Sequence, residues 1–208
     1  MKGSKLGRVF ATVLDPGTYI HPIRLLHFYG YSHVRPRRKV TMGESATMAP
    51  NVSLRNGERI VIGARTKIGE RAYLWAGDDS SAIRIGEDCR IGPEVFITAS
   101  DYGLRPDEPI AYQERNERDV IIGNDVWLGT RVFIGAGVTL GDGCVVSAGS
   151  VVTRSLPPGS VAVGVPARIV RRREDYGDRD GEASDGGADA DASTEGREAA
   201  AAVAAETE

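Results

Sequence analysis

From Ile122 onward an aliphatic side chain falls at every sixth position: Ile122, Leu128, Ile134, Leu140, Val146 and Val152. Gly follows at 123, 129, 135 and 141, and a small or β-branched residue stands four places after each aliphatic, at Val126, Val132, Val138, Cys144 and Ser150. Earlier segments repeat the pattern. Met42-Gly43 leads to Ala46, Met48 to Val52, Ile62-Gly63 to Thr66, Ile68-Gly69 to Ala72, Ile85-Gly86 to Cys89 and Ile91-Gly92 to Val95. A period of six is neither that of a helix nor the simple alternation of a strand. It describes a short strand and a turn, repeated. Three such units close one triangular coil of about eighteen residues, a solenoid architecture. The aliphatic then points to the prism axis and the small residue fills the gap beside it. The repeat glycine is expected to supply the positive φ of the corner. Each coil pairs with those above and below, so the array is stable only as an array.

The repeat occupies residues 40–173. It is broken at Asn56-Gly57, at Gly77-Asp78-Asp79-Ser80-Ser81, and most widely from Asp101 to Asp119, a charged, proline-bearing excursion loop 101–119. Loops of this kind on solenoids carry function. Residues 1–39 lack the period, and the aromatic-rich stretch Ile20–Tyr31 is expected to cap the open end of the prism. After Pro157-Pro158 the chain still reads as strand at Val161–Val163 and Ile169-Val170. The formal charge of −3 hides a division: residues 174–208 hold twelve Asp/Glu against two Arg, a net of −10, which leaves +7 on residues 1–173. The tail is expected to be a disordered acidic appendage, and the basic body favours anionic partners. Cys89 and Cys144 are too few for a disulfide framework or a zinc cluster and occupy inward slots of their repeats. No transmembrane segment is expected, because no run of about 18 apolar residues exists. A signal peptide is not expected either, since Asp15-Pro16-Gly17 interrupts the first apolar run, and a cytoplasmic protein is the reading.

The stretch Ile122-Gly-Asn-Asp-Val-Trp127-Leu-Gly129, with Ser150-Val-Val-Thr-Arg154 and Gly164-Val-Pro-Ala-Arg168, resembles the hexapeptide-repeat acyltransferase superfamily. The likeness is greatest to its maltose/galactoside O-acetyltransferase and polysaccharide O-acetyltransferase branch. That resemblance implies an all-β left-handed parallel β-helix, a homotrimer, and acetyl-CoA as co-substrate in a cleft between two prisms. Thr130, Ala148, Thr153 and Arg154 match positions along the pantetheine arm. Arg168 and Arg171 match residues that meet the nucleotide end, where guanidinium groups suit phosphate. Trp127 matches a tryptophan near the acceptor or thioester. Each has a plainer reading: corner packing for Thr130 and Ala148, a solvated basic run for Arg171, and an interface aromatic for Trp127.

The chain departs from that family at one position. Relatives of this kind carry a His at the start of the excursion loop, which deprotonates the acceptor hydroxyl; here Tyr102 stands there, and no His follows His33. Imidazole titrates near working pH, whereas a phenol, with a reference pKa near 10, is a poor base. A loop carboxylate, Asp101 or Glu108, is one substitute, and Glu108 is otherwise expected, with Trp127, to bind the acceptor. A His from among His21, His27 and His33, in the same or a neighbouring subunit, is another. Tyr102 acting itself, or loss of catalysis with binding retained, complete the set. His21, His27 and His33 otherwise read as cap residues, and no metal site is expected, because no coil carries the histidines that zinc would need. Arg35, Arg37, Arg38 and Lys39 form a basic cluster, read as solvated surface or as a site for an anionic acceptor or membrane-linked glycan. No nucleic-acid partner is expected, since no stacking platform accompanies the charge. The expected function is transfer of an acetyl group from CoA to a hydroxyl of a sugar or polysaccharide precursor. Amino-sugar N-acylation, or a catalytically silent trimer binding CoA or a partner, are the alternatives.

Overall fold

The computed structural model describes residues 5–176. The coil is a left-handed parallel β-helix with three faces. The first carries strands Thr41–Met42, Ile60–Ile62, Ile83–Ile85, Val120–Ile122 and Thr139–Leu140, each parallel to the next. A second face of seven strands runs from Thr47–Met48 to Ser160–Val163 and ends on Arg168–Arg172, which returns antiparallel. The third runs from Ser53–Arg55 through Tyr73–Trp75, Phe96–Thr98 and Phe133–Ile134 to Val151–Val152.

Register follows the six-residue period. Ile62 pairs with Ile85, Ile85 with Ile122 and Ile122 with Leu140, so one ladder of aliphatic side chains lines each inner wall. Leu54, Leu74, Ile97 and Ile134 form another, all fully buried. The small residues Ala72, Cys89, Val95, Val126 and Val132 are fully buried beside them. Full burial of a Leu or Ile contributes about 1.5–3 kcal/mol each. Burial also pushes the Cys89 and Cys144 thiols up, away from the reactive thiolate.

The corner chemistry differs from the expectation. The glycines that follow each inward aliphatic do not have positive φ. The left-handed residue comes two places later and is Arg65, Arg71, Asp88, Glu94, Asp125 or Arg131 in the lower coils and Gly137, Gly143 or Gly149 in the upper ones. The repeat glycines are needed for a different reason. A Cβ on Gly63 would sit 2.5 Å from the Gly86 carbonyl carbon, and one on Gly129 would sit 2.5 Å from the Ala148 nitrogen. The obstacle is the backbone of the next coil, joined by bonds such as Gly63 N–H to Ile85 O at 2.8 Å.

The N-terminal segment is helical: α1 spans Lys5–Leu14 and α2 spans Pro16–Tyr29, with Asp15 capping the second through a bond from the Gly17 amide. The cover over the first coil is not where expected. Nothing in α2 is buried, and Ile20 through Tyr31 are exposed except half-buried Gly30. The π turn Gly30–Val34 and the turn Arg35–Arg37 make the contact instead. Arg37 donates to the carbonyls of Met48 and Ala49. Gly57 lies so close under the Pro36 carbonyl that no Cβ fits. A solenoid end presents unpaired backbone groups, and a guanidinium satisfies carbonyls that an aromatic face does not. At the other end, Arg173–Tyr176 form a 3-10 turn with Asp175 accepting from the Arg172 amide, so residues 174–176 belong to the folded body. The rest of the expected acidic tail, 177–208, lies outside the described residues.

Two substitutions separate the two glycine roles. Gly63→Ala should destabilise by more than about 2 kcal/mol, as overpacking against rigid backbone does. Ser45→Gly, at a left-handed corner with φ of 57°, should leave stability unchanged or raise it by up to about 1 kcal/mol. Urea unfolding of both variants checks the pair.

Candidate functional site

The excursion loop leaves the third face after Phe96–Thr98 and returns to the first face at Val120. Its two ends pair antiparallel, Ser100 with Glu117 and Asp101 with Asn116. The Glu117 carboxylate accepts from the backbone amides of Asp78, Asp79, Ser80 and Ser81 at 2.5–3.0 Å, which joins the loop base to the 77–81 insertion. Burial opposes ionisation there, but the amides of Ser81, Ser80 and Asp79 outweigh it and hold this carboxyl well below the usual range. A Cβ on Gly77 would meet Ser81 Oγ and the Glu117 carboxylate, so a larger residue there would displace this anchor. Farther out, the buried side chain of Gln113 donates to the carbonyls of Arg105 and Glu108 and accepts from the Arg105 amide. The loop is thus an internally bonded structure and not a free flap.

Tyr102 stands at the loop base, 52% exposed. The Arg115 guanidinium lies 4.9 Å over its ring and donates to its Oη at 3.4 Å. Arg115 also pairs with Asp78 at 3.3 Å. Asp101 is held by Arg118 at 3.4 Å and Glu108 by Arg105, so both candidate carboxylates face a guanidinium. Beside Tyr102 opens a groove of about 250 Å³, lined among others by Arg55, Trp75, Phe96, Phe133 and Ser100. Among the described residues Ser100 Oγ is the only buried side-chain oxygen or nitrogen with no hydrogen-bond partner. A second cleft of about 750 Å³ shares Arg55, Trp75 and Asp78 with it and extends to Phe28 and Tyr31.

The groove wall is an outward aromatic row on the third face. Tyr73, Phe96 and Phe133 succeed one another at 5.5–5.6 Å, Trp75 meets Phe96 edge-on at 4.9 Å, and the Arg55 guanidinium covers Trp75 at 4.1 Å. This row, Arg55, Ser100 and Arg115 escaped the sequence reading. Its signal was there: Tyr73, Phe96 and Phe133 each stand one place before an inward aliphatic, on every third repeat.

The other expected residues lie elsewhere on the coil. Trp127 projects from the second face, 58% exposed, in a row with Lys67 and Arg90, and its pocket shares no residue with the groove at Tyr102. Thr130 and Ala148 meet at one corner. The Thr130 hydroxyl donates to the Pro93 carbonyl, and the Thr130 carbonyl accepts from Gly149. Thr153 and Arg154 occupy the next corner, exposed, after Val151–Val152. Arg168 and Arg171 lie exposed on the terminal strand, Arg171 with its guanidinium 5.8 Å from the Tyr176 ring. His33 is buried, bonded to Ser32 Oγ and stacked on Tyr29 at 4.7 Å. Burial pushes its imidazole below the ordinary value, against the opposing effect of its hydrogen bond to the Asn51 backbone. His21 and His27 are exposed on α2, and none of the three lines the Tyr102 groove.

Residues 119–154 match the family model for bacterial transferase hexapeptide (six repeats). A hexapeptide-repeat containing acetyltransferase of Vibrio cholerae O1 biovar eltor, crystallised with acetyl coenzyme A, is 32% identical. That match covers 66% of this chain and 73% of the other, with a TM-score of 0.59. The chain belongs to the hexapeptide-repeat acetyltransferases. Within the family, a galactoside acetyltransferase in complex with coenzyme A is 29% identical over 84% of this chain and 94% of its own, with a TM-score of 0.62. A maltose O-acetyltransferase from Clostridium difficile 630 is 26% identical over 72% and 82%, with a TM-score of 0.59. No match is found among curated protein sequences.

The loop anchor makes a prediction about acid. A carboxyl whose folded pKa is depressed contributes stability that is complete at neutral pH and is lost as pH falls below the ordinary glutamate value of about 4.3. Glu117→Gln should cost about 1–3 kcal/mol at pH 7, the worth of hydrogen bonds to a charged group. It should also flatten the stability loss between pH 5 and 3 (both values approximate). Thermal unfolding of both proteins across that range is the check.

Proposed function

We propose that this acetyltransferase moves an acetyl group from acetyl-CoA to a hydroxyl of a sugar or polysaccharide precursor, with the acceptor in the groove beside Tyr102. The acceptor oxygen attacks the thioester carbonyl, the C–S bond breaks, and the hydroxyl proton ends on the CoA thiol. The observation that carries this reading is the coincidence, at the family's catalytic loop, of an aromatic wall, two guanidinium groups and the orphaned Ser100 hydroxyl. Flat aromatic rings suit the apolar face of a sugar, and an unpartnered buried hydroxyl is a group awaiting a hydrogen bond. Tyr102 stands where relatives carry the general base. Asp101 and Glu108, each held by an arginine, are poor substitutes for it. Tyr102 Oη, with Arg115 behind it, positions the acceptor, and turnover rests on proximity and on positive charge near the developing oxyanion.

The co-substrate reading places pantetheine along the corner of Thr130 and Ala148, with Thr153 and Arg154 beyond it and the nucleotide phosphates toward Arg168 and Arg171. The solved relatives bound to acetyl-CoA and CoA support it. Because Trp127 and Tyr102 sit on different faces, a homotrimer, in which a second-face Trp127 meets a neighbour's loop, is the assembly that unites them. The second reading, a silent CoA-binding trimer, is favoured by the arginine pairing of Asp101 and Glu108.

Calorimetric titration with acetyl-CoA and thiol release with a panel of sugars test these readings. Arg171→Ala should weaken acetyl-CoA about tenfold, the worth of one charge-assisted bond. Ser100→Ala should lower kcat/KM about tenfold without loss of thermal stability, since no partner is left unpaired. Tyr102→His should raise kcat by about 10²–10⁴, the usual contribution of a general base. Binding of acetyl-CoA with no thiol release in either the native protein or Tyr102→His would establish the silent reading. Loss of release in Asp101→Asn would move the base to Asp101.

A further inference from the structure

Charge along this chain is sorted by segment. Residues 1–39 carry eight Lys/Arg (Lys2, Lys5, Arg8, Arg24, Arg35, Arg37, Arg38, Lys39) against the single Asp15, a net of +7. Residues 40–173 carry sixteen of each sign and are neutral. The whole positive charge of the folded body therefore belongs to the helical segment that the coil does not cover. Arg24, Arg35 and Arg38 are exposed and have no ion pair among the described residues. The same segment exposes its apolar side chains. On α1, Val9, Phe10, Val13 and Leu14 are open, the last 76% exposed, at the spacing of one helical face. On α2, Tyr19, Ile20, Ile23, Leu25, Leu26 and Phe28 are open on all sides, Leu26 75% exposed, and no residue is buried. The two helices are fixed to each other, since the Thr18 and Tyr19 hydroxyls donate to the carbonyls of Thr12 and Val13 at 2.7 Å. The buried Ser32 and His33 hold them to the coil.

We infer that α1 and α2 form a docking surface for an anionic lipid bilayer, lying in its headgroup plane. α2 buries none of its apolar side chains and carries Arg24 among them, and a basic hairpin with exposed apolar side chains is the chemistry that binds an anionic interface. At 14 residues α2 is about 21 Å long, short of the roughly 30 Å hydrocarbon core, so it lies along the surface and does not cross. A second copy is the poorer occupant, because two of these segments face to face would bring +7 against +7, and the coil of a neighbour is neutral and does not match the charge. The segment 177–208 is acidic but offers only alanines and Val203 as apolar partners, so it matches the charge and not the hydrophobic face. Docking there would hold the acetyltransferase coil beside the membrane.

The test is flotation of the full-length protein with vesicles of phosphatidylcholine alone or mixed with phosphatidylglycerol. Binding is expected only to the anionic vesicles. It should fall steeply between about 0.1 M and about 1 M salt, as the Debye length shrinks from roughly 10 Å to roughly 3 Å. Arg24→Gln, Arg35→Gln and Arg38→Gln should each weaken it about fivefold. Phe10→Asp with Leu26→Asp should abolish it at low salt, with coil circular dichroism and sedimentation-equilibrium mass unchanged. No binding to anionic vesicles at low salt overturns the inference. So does undiminished binding of the Phe10→Asp/Leu26→Asp protein, or a change in its oligomeric mass, which would give the face to a second copy.

Discussion

Successive coils of this protein touch through bare backbone, and everything else is arranged around that contact. At Gly63, Gly86 and Gly129 the next coil's main chain comes within the space a methyl group would need. That closeness aligns strands mostly two or three residues long into continuous ladders. Strands so short have no stability of their own; they persist because each is hydrogen-bonded to its neighbours and its inward side chain stacks on other aliphatics. The strained left-handed corners at Arg65, Asp88 and Arg131 are held by the same stacking. Arg65 bridges to Glu87 and Asp88 of the coil above, and Arg131 to Glu94 of the coil below.

A rigid ladder is a good base for a loop that must hold a site. The excursion loop does not rely on a core of its own. It hangs on the Glu117 carboxylate in its cage of amides and on the Gln113 side chain bonded across its turn. These are polar anchors, and they place Tyr102 and Arg115 against a wall of aromatic side chains that the coil stacks by translation. The groove is therefore shaped by two different devices, a periodic one and a singular one.

The N-terminal segment obeys a third logic. Its polar residues near Ser32–Arg37 satisfy the open end of the coil, while its apolar and basic residues face outward. The coil and its loop together are neutral, and the charged, non-repeating segments, the excursion loop and the N-terminal hairpin, lie outside the period.

Much of the fold was legible in the spacing alone. The aliphatic ladder from Met48 to Val152, the small residues beside it and the excursion at 101–119 all stand where the period places them, because a six-residue repeat leaves one geometry in which the aliphatic side chains share a wall. The cause of the repeat glycines was not legible, since a close approach is a relation between residues some twenty positions apart and leaves no local mark. Nor were the pairing of Asp101 with Arg118, the separation of Trp127 from Tyr102, or the orphaned Ser100 hydroxyl. Those depend on which face of the prism a residue occupies and on how a non-repeating loop folds back. The one-dimensional pattern determined the coil, and three-dimensional contacts between distant coils and the loop decided what the coil presents to a ligand.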